Sequence, residues 1–294
     1  MEKLGERVAY YRKSKGLSIK DLAENLCDDS TIYRLEKGRQ LPRLEILNEI
    51  CMKLEVPINA LFPLNKEVVQ LKMLCREFTY NEDYLSLELT LEECENVLEQ
   101  LTSIYEKKQF SRFILWHRAI LLHKIENKEQ DALKILNSIV NLKKCGSELD
   151  IEIMNSTALI YLTTDVNTAY KIYKEIYAKS KNQKDLEDLT LFPRVGYNYA
   201  YTMYQLNSYE KALKIVLDVL NYMETHHLMY FLGEIYHMIG ILSKKNEYFI
   251  EAEEAFKNAI LVFTLTKDKN NLTRVETDLS KLHMQNKKVV LPTS

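Results

Sequence analysis

The chain has 294 residues, of which 46% are hydrophobic, and its 40 Lys and Arg against 42 Asp and Glu leave a formal net charge of -2. This balance excludes a protein that attracts nucleic acid through its net charge alone, so a DNA-binding surface would have to be a local patch. Only 7 Gly and 5 Pro are present, which predicts an all-α chain with short connections.

Cysteine usage and hydropathy indicate the cellular compartment in which such a chain would function. Its five dispersed cysteines, Cys27, Cys51, Cys75, Cys94 and Cys145, form no C-x-x-C pair, as expected for reduced core thiols in a cytosolic protein. The first residues have no apolar signal segment, and no apolar run is long enough to span a bilayer. We therefore expect a cytoplasmic protein that makes no membrane contact.

Motifs of common enzyme classes are missing from the sequence. It contains no Gly-rich phosphate loop, no H-E-x-x-H and no nucleophile elbow. Two adjacent histidines, His226 and His227, would point apart on a helix, which argues against a metal site. We predict that the chain is not an enzyme and needs neither a cofactor nor a metal.

Five short helices are predicted in the first 63 residues. Leu4, Val8 and Tyr11 have helical spacing in a first helix that ends at Gly16. Ser18 and Asp21 have the spacing of a capping box at the start of the second helix.

The third predicted helix is capped by Asp29, runs to Lys37 and closes at Gly38. Because Ile32 and Leu35 are three residues apart, they share its apolar face and leave the polar residues outside. The segments "LEILNEICMKL" and "VPINALF" predict a fourth helix and a short fifth one.

This arrangement resembles the helix-turn-helix domain of lambda-repressor or Xre type. The resemblance is carried by "GLSIKDLAENLCDDSTIYRLEKGRQLP" and by "LNEICMKLEVPINALF". It implies that the third helix lies in the DNA major groove and that Glu36 pairs with Arg12 of the first helix. Where many relatives have Gln after the residue that opens the second helix, this chain has Ile19, and Lys20 is a candidate to replace that backbone contact.

Exposed polar residues around the third helix are the candidate DNA contacts. Arg34 suits a bidentate contact to guanine, and the others suit base edges or phosphates. Residues 1–43 contain 10 Lys and Arg and 7 Asp and Glu, a local charge of +3. The alternative is an ordinary solvated helix face. The full candidate set is Lys20, Ser30, Thr31, Tyr33, Arg34, Lys37 and Arg39.

A helical repeat is predicted beyond residue 80. Four segments share an Ala followed by apolar or small residues four and seven positions later, and their anchor alanines are 37, 43 and 40 residues apart. An amphipathic helix precedes each segment, a pattern that resembles tetratricopeptide repeats; an irregular helical bundle is the alternative. The segments are Ala132/Leu136/Ile139, Ala169/Tyr173/Ile176, Ala212/Val216/Val219 and Ala252/Phe256/Ala259.

Two further segments extend this pattern. The helices "NKEVVQLKMLCREF" and "TLEECENVLEQL" are candidates for a fifth unit, and "NNLTRVETDLSKLHM" is a candidate closing cap.

Repeat phase also predicts a peptide-binding groove on the first helices of the pairs. Asn155 and Asn198 both lie 14 residues before their anchor Ala, so their amides should project side by side and bind the main chain of an extended peptide. The equivalent positions elsewhere are Arg118 and Met238, and Tyr161 and Tyr201 could form walls of the groove. The alternative is that the asparagines are ordinary surface amides and the tyrosines pack between helices.

Together the two regions resemble the Rap/NprR/PlcR/PrgX family of peptide-sensing regulators from Gram-positive bacteria, and the PlcR-like members most of all. The residues that carry the resemblance include "EKLGERV", "YNYAYTMYQLNSYEKAL" and "EAEEAFKNAILVF". It implies a homodimeric transcription regulator that binds a pseudo-palindromic operator in double-stranded DNA under control of a short signalling peptide, as in quorum sensing. The alternatives are a Rap-like phosphatase or scaffold acting on a protein partner, and an Xre-type regulator that needs no peptide.

We therefore expect four parts in this chain. Residues 1–63 would bind DNA, 64–80 would form a linker helix, 81–286 would form the repeat domain for peptide binding and dimerisation, and 287–294 would be a tail.

Overall fold

The fold is described from a computed structural model that places residues 2–62, 65–140, 146–182 and 186–290. Within these ranges the chain forms helices and no strand. It divides into two units, Met1–Tyr80 and Asn81–Ser294. The all-α architecture predicted from the scarcity of Gly and Pro, with an N-terminal helix-turn-helix region and a helical-repeat region, is confirmed.

The first unit contains five α-helices and one 3₁₀ turn in its described residues. In chain order they are α1 (Glu2–Ser14), α2 (Ile19–Ala23), α3 (Asp29–Glu36), α4 (Leu44–Leu54), the 3₁₀ turn Ile58–Leu61 and α5 (Lys66–Tyr80).

Local capping explains where α2 begins and where α1 and α3 end. The Ser18 hydroxyl accepts from the Asp21 N–H at 3.0 Å, and the Asp21 carboxylate accepts from the Ser18 N–H at 2.7 Å, which confirms the capping box. Gly16 and Gly38 have φ values of 70° and 65°, a left-handed conformation that suits Gly after a helix. The predicted cap of α3 was wrong by one residue, because Asp28 is the N-cap and Asp29 is already in the first turn.

A buried ion pair joins α1 to the end of α3. Arg12 Nε and Nη2 donate to the two carboxylate oxygens of Glu36 at 2.5 and 2.9 Å, with about a tenth of each side chain exposed. Arg12 Nη1 also donates to the Leu17 carbonyl at 2.8 Å. The pairing of Arg12 with Glu36 expected from the family resemblance is therefore present, and it fixes α3 against the first helix.

The core of the first unit lies beneath the polar face of α3. Ile32 and Leu35 are buried together with Val8, Leu22 and Ile50. The close approach of α1 requires Gly5, since a Cβ there would lie 2.1 Å from the Leu35 carbonyl oxygen.

The second unit is a series of antiparallel helices joined by short connections. In chain order they are α6 (Tyr84–Gln100), α7 (Ile104–Lys124), α8 (Glu129–Ile139), α9 (Glu148–Thr164), α10 (Val166–Asn182), α11 (Leu191–Gln205), α12 (Tyr209–Thr225), α13 (Leu232–Lys245), α14 (Phe249–Leu265) and α15 (Lys269–Val290). Each helix packs on the next one, and α7, α9, α11, α13 and α15 also contact one another in sequence. We call these five the inner helices.

The repeat anchors have the positions that the spacing predicts. Each anchor Ala is the fourth residue of its helix, α8, α10, α12 or α14, and all four are completely buried. The residues four and seven positions later are buried as well, except Ile139, which is half-buried. The repeated pattern therefore marks the face that each outer helix turns toward its inner partner.

The ends of the repeat array differ from the prediction in one respect. The closing helix α15 forms as expected and packs on α14. The suggested fifth helix pair is wrong, because α5 belongs to the first unit and α6 to the second.

Cysteines and hydropathy add two observations. Cys51, Cys75 and Cys94 are buried and Cys27 is half-buried, whereas Cys145 lies outside the described residues. None of the described helices combines the length and the apolar character needed to cross a membrane.

We predict that Gly240→Ala destabilises the second unit. A Cβ at residue 240 would lie 2.5 Å from ring atoms of Phe256, which is completely buried on α14. Overpacking typically costs about 1–3 kcal/mol, more than the gain of about 1 kcal/mol from replacing Gly by Ala in a helix. The free energy of unfolding in urea measures the difference.

The matched control is the same change in a Phe256→Leu background, where a smaller side chain should absorb part of the strain. The two substitutions should therefore be non-additive. Equal stability of wild type and Gly240→Ala would contradict the close packing described here.

Candidate functional site

A row of polar side chains is exposed along α3 in the first unit. Ser30, Tyr33, Arg34 and Lys37 are exposed on one side of the helix, and Thr31 beside them is half-buried. Their spacing of three and four residues places them on one face, opposite the buried Ile32 and Leu35. α3 therefore presents both hydrogen-bonding and cationic groups to its surroundings.

Two contacts order the cations around this row. Arg34 Nη1 donates to Gln40 Oε1 at 3.4 Å, and the Arg39 guanidinium lies 6.0 Å from the ring centre of Tyr33. Lys20 is exposed on α2, the other helix of the motif. Ile19 packs against the core of this unit. Its apolar side chain offers no polar group at the position where many relatives have Gln.

The connection between α2 and α3 is a tight turn held by hydrogen bonds. Asn25 has a φ of 63°, and the N–H groups of Leu26 and Cys27 both donate to the Ala23 carbonyl. Lys53 of α4 donates to the Glu24 carbonyl at 2.9 Å. These contacts fix the angle at which α3 leaves the turn.

On the inner helices of the second unit, the two predicted asparagines meet. Asn198 Nδ2 on α11 donates to Asn155 Oδ1 on α9 at 3.0 Å, although the residues are 43 positions apart in the chain. Asn155 is 7% exposed and Asn198 is half-buried. We call these two residues the amide pair; it shows that equal repeat phase places side chains side by side.

A charged pair lies next to the amide pair, about one helical turn earlier on each helix. Arg194 Nη2 on α11 is 3.8 Å from Glu152 Oε1 on α9 and 2.5 Å from Asp188 Oδ2. The Glu152 side chain is completely buried, and Arg194 Nε is buried without a hydrogen-bond partner. Amide and ionic layers thus follow each other along these two inner helices.

The other predicted peptide contacts have mixed surroundings. Arg118 pairs with Glu95 of α6 at 3.0 Å. Tyr161 is half-buried against the core, and the exposed Tyr201 accepts from Gln205 Nε2 at 3.0 Å. Met238 is only 4% exposed and belongs to the core, so its equal repeat phase does not bring it to the surface.

A hydrogen bond that the sequence did not suggest joins the last two inner helices. His237 Nε2 on α13 contacts Asp278 Oδ2 on α15 at 3.0 Å, and His237 is 6% exposed. Burial lowers the pKa of His237 below its ordinary value, while the hydrogen bond to Asp278 partly opposes that effect.

Repeat phase could have suggested some of these missed residues. Glu152 and Arg194 lie 17 and 18 residues before their anchor alanines, close to the phase of the amide pair. Asp278 has no such signal, because no anchor segment follows α15.

Neither adjacent histidine stands in a group of metal ligands. His226 Nδ1 lies 2.9 Å from the Tyr222 carbonyl oxygen, and His227 follows with a φ of 54°. Among the residues with described positions, no three His, Cys, Asp or Glu side chains form a group able to hold a metal ion.

Comparison with family models accounts for most of the chain. Residues 83–278 match the RNPP family C-terminal domain, and residues 8–61 match a helix-turn-helix model. A search of curated proteins finds no match to the sequence.

Solved structures share the whole architecture at low sequence identity. PlcR of Bacillus thuringiensis, solved with the peptide PapR7 and DNA, is 22% identical with a TM-score of 0.76, over 99% of this chain and 100% of PlcR. ComR of S. thermophilus, solved with DNA and its signalling peptide ComS, is 16% identical with a TM-score of 0.61, over 95% and 99%. The pheromone receptor Rgg2 of Streptococcus dysgalactiae is 14% identical with a TM-score of 0.64, over 95% and 99%.

We predict that His237 makes the second unit less stable in mild acid. Because its pKa is lower in the folded chain, the unfolded chain takes up a proton first as the pH falls below about 6.5. Stability should therefore be retained above that pH and decrease below it, by at most about 1.4 kcal/mol per pH unit for this one proton. Urea unfolding between pH 8 and pH 5 measures the slope.

His237→Gln should flatten this slope, whereas His227→Gln, at an exposed position, should leave it unchanged. A slope that is the same in wild type and His237→Gln would contradict the assignment.

Proposed function

The chain belongs to the RNPP family, and on this premise we propose that it is a DNA-binding transcriptional regulator controlled by a short signalling peptide. The first unit would bind a pseudo-palindromic operator as part of a homodimer, and the second unit would bind the peptide. It would act in the cytoplasm as a regulator rather than as an enzyme. The relatives solved with DNA and a peptide, PlcR and ComR, support this proposal.

The observation that carries the proposal is the amide pair. Its internal hydrogen bond uses Asn198 Nδ2 and Asn155 Oδ1, which leaves Asn155 Nδ2 as a donor and Asn198 Oδ1 as an acceptor. Neither of these two atoms forms a hydrogen bond with another of the described residues. One donor beside one acceptor is complementary to the C=O and N–H of an extended peptide main chain.

The spacing of the inner helices sets the length of a suitable peptide. Packed helices lie about 8–10 Å apart, so a chain that crosses α9, α11 and α13 spans roughly 20 Å. An extended peptide rises about 3.3 Å per residue. A peptide of about six or seven residues would therefore cover these three helices.

The exposed face of α3 suits the major groove. Arg34 is the best candidate for base recognition because its guanidinium can donate two parallel hydrogen bonds to guanine. Lys20, Lys37 and Arg39 suit phosphates, while Ser30, Thr31 and Tyr33 suit base edges or phosphates. In a twofold dimer, two such faces would contact half-sites about 34 Å apart.

The peptide set is smaller than the one predicted from sequence. We propose Asn155, Asn198, Tyr161 and Tyr201 as peptide contacts. We omit Met238 because it is in the core, and Arg118 because its guanidinium already pairs with Glu95.

Four parts of the chain would have separate roles in this function. We propose residues 1–63 for DNA binding, 64–80 as the linker helix, 81–286 for peptide binding and dimerisation, and 287–294 as a tail.

Substitutions on α2 and α3 should separate base recognition from phosphate contacts. Arg34→Ala should reduce discrimination between the operator and random DNA by about 1–3 kcal/mol per half-site, because one bidentate base contact is lost. Lys20→Ala should weaken binding to both DNAs equally and reduce the salt dependence by about one charge per half-site. Fluorescence anisotropy at several salt concentrations, on an operator selected from a random DNA pool, measures both effects.

The control is Lys211→Ala, which removes an exposed cation from the second unit and should change neither quantity. If Arg34→Ala weakened binding to operator and random DNA to the same extent, Arg34 would not read bases.

Substitutions in the amide pair should weaken peptide binding. Asn198→Ala and Asn155→Ala should each cost about 1–3 kcal/mol, since a hydrogen-bonding group at the peptide main chain is lost. Affinity is measured by titration with a synthetic heptapeptide selected from a random library. The same heptapeptide should change the affinity for the operator, and the operator should change peptide affinity by the same factor.

Asn221→Ala on the outer helix α12 is the matched control, because Asn221 is exposed and outside the groove. Thermal unfolding of each variant separates lost binding from lost folding. A chain that binds its operator tightly while no heptapeptide binds would support the regulator that needs no peptide. Dephosphorylation of a response regulator would instead support the Rap-like alternative.

A further inference from the structure

One side of α5 in the first unit is exposed and largely apolar. Val68, Leu71 and Cys75 are buried on the opposite side of this helix. On the exposed side, Met73 is 65% and Val69 is 37% accessible to solvent. A shallow groove runs along this side, and we call the residues that line it the α5 face: Lys66, Val69, Gln70, Met73, Leu74 and Glu77.

The α5 face has the spacing of a seam between two helices. Lys66, Gln70, Met73 and Glu77 follow one another at intervals of four, three and four residues, which is the a/d spacing along which helices pack in pairs. The apolar residues of the α5 face that lie outside this row flank it, one on each side. The face therefore has the width that a single partner helix covers.

The charged ends of this row have no partner among the described residues. Lys66 and Glu77 are both exposed, and neither forms a salt bridge with a residue in the described ranges. Gln70, also exposed, forms no side-chain hydrogen bond there either. A helix that covers the α5 face would therefore meet one cation, one acid and an apolar centre.

The α5 face is complementary to itself when the helix direction is reversed. In an antiparallel pair centred between residues 71 and 72, Lys66 of one copy lies level with Glu77 of the other, and Gln70 lies level with Met73. The flanking Val69 lies level with Leu74. Opposite charges thus face each other at both ends of the seam, whereas a parallel pair would place like charges together. Such a self-complementary patch is what a twofold interface requires.

We propose that the α5 face packs antiparallel against the α5 face of a second copy of this chain. The proposal rests on the homodimer of the proposed function and adds a specific contact to it. Because α5 belongs to the same unit as α3, this contact would join the two DNA-binding units directly. α5 has 15 residues and is about 22 Å long, so the seam is short and would act together with the dimer contact proposed for residues 81–286.

Disulfide cross-linking of the full chain tests the direction and register of the pair. A tagged Gln70→Cys chain and an untagged Met73→Cys chain are co-expressed and mildly oxidised, with the wild type as the background for the native cysteines. A cross-linked dimer of the two chains is expected, since these positions lie level in the antiparallel pair.

Lys66→Cys is the matched control for this experiment. In the antiparallel pair its two copies would be 11 residues apart along the helix axis, or about 16 Å. A disulfide bridges Cα atoms that are less than about 7 Å apart, so Lys66→Cys should not cross-link to itself. In a parallel pair it would.

Charge reversal tests the contacts at the two ends of the seam. Lys66→Glu and Glu77→Lys should each raise the dimer dissociation constant about tenfold, because two attractive contacts per dimer become repulsive. The double variant Lys66→Glu/Glu77→Lys should restore the wild-type value, which a folding defect would not do. Glu67→Lys, an exposed position of α5 outside the seam, should leave the constant unchanged. Sedimentation of the full chain measures all four variants.

The outcomes separate this inference from the proposed function. If both single reversals dimerise like the wild type, or if Lys66→Cys cross-links and the Gln70→Cys/Met73→Cys mixture does not, the antiparallel seam is wrong. The homodimer itself stands in that case, provided that the wild type sediments as a dimer and binds its operator. If the wild type binds its operator as a monomer, both the seam and the proposed homodimer fail.

Discussion

The close approach of paired helices at small residues is the constraint on which the second unit depends. The anchor alanines are completely buried, and a Cβ at Gly196 would lie 2.2 Å from a Val219 methyl group. Small side chains at these positions let the helices of a pair approach closely, and successive pairs stack in one register. Equivalent positions of neighbouring inner helices then lie side by side, which is why two asparagines 43 residues apart form a hydrogen bond of 3.0 Å.

A comparable constraint orients α3 in the first unit. Gly5 lets the backbone of α1 approach the last turn of α3, and Arg12 holds Glu36 through two hydrogen bonds. A buried ion pair adds little net stability, but the loss of one partner leaves an unpaired charge at a cost of about 3–5 kcal/mol. The contact therefore specifies the orientation of the exposed face more than it stabilises the unit.

On the inner helices, some polar groups of the described residues hydrogen-bond or form ion pairs with each other, and others do not. The amide pair and the Arg194–Asp188 ion pair meet part of their own bonding needs within the chain. A ligand changes an equilibrium between two states only by its difference in affinity for them. If the amide pair binds the peptide as proposed, its exchange of hydrogen bonds would contribute to that difference.

The sequence by itself determined the helical class, the repeat anchors, the exposed row on α3 and the equal phase of Asn155 and Asn198, because helical periodicity and repeat phase are local properties. It predicted the cap of α3 one residue late, since adjacent Asp28 and Asp29 can both cap a helix. Only the tertiary structure decided that Met238 is buried despite its repeat phase, and that His237 meets Asp278. Burial and charge pairing depend on which helices pack together, and residues 41 positions apart carry no local signal of their contact.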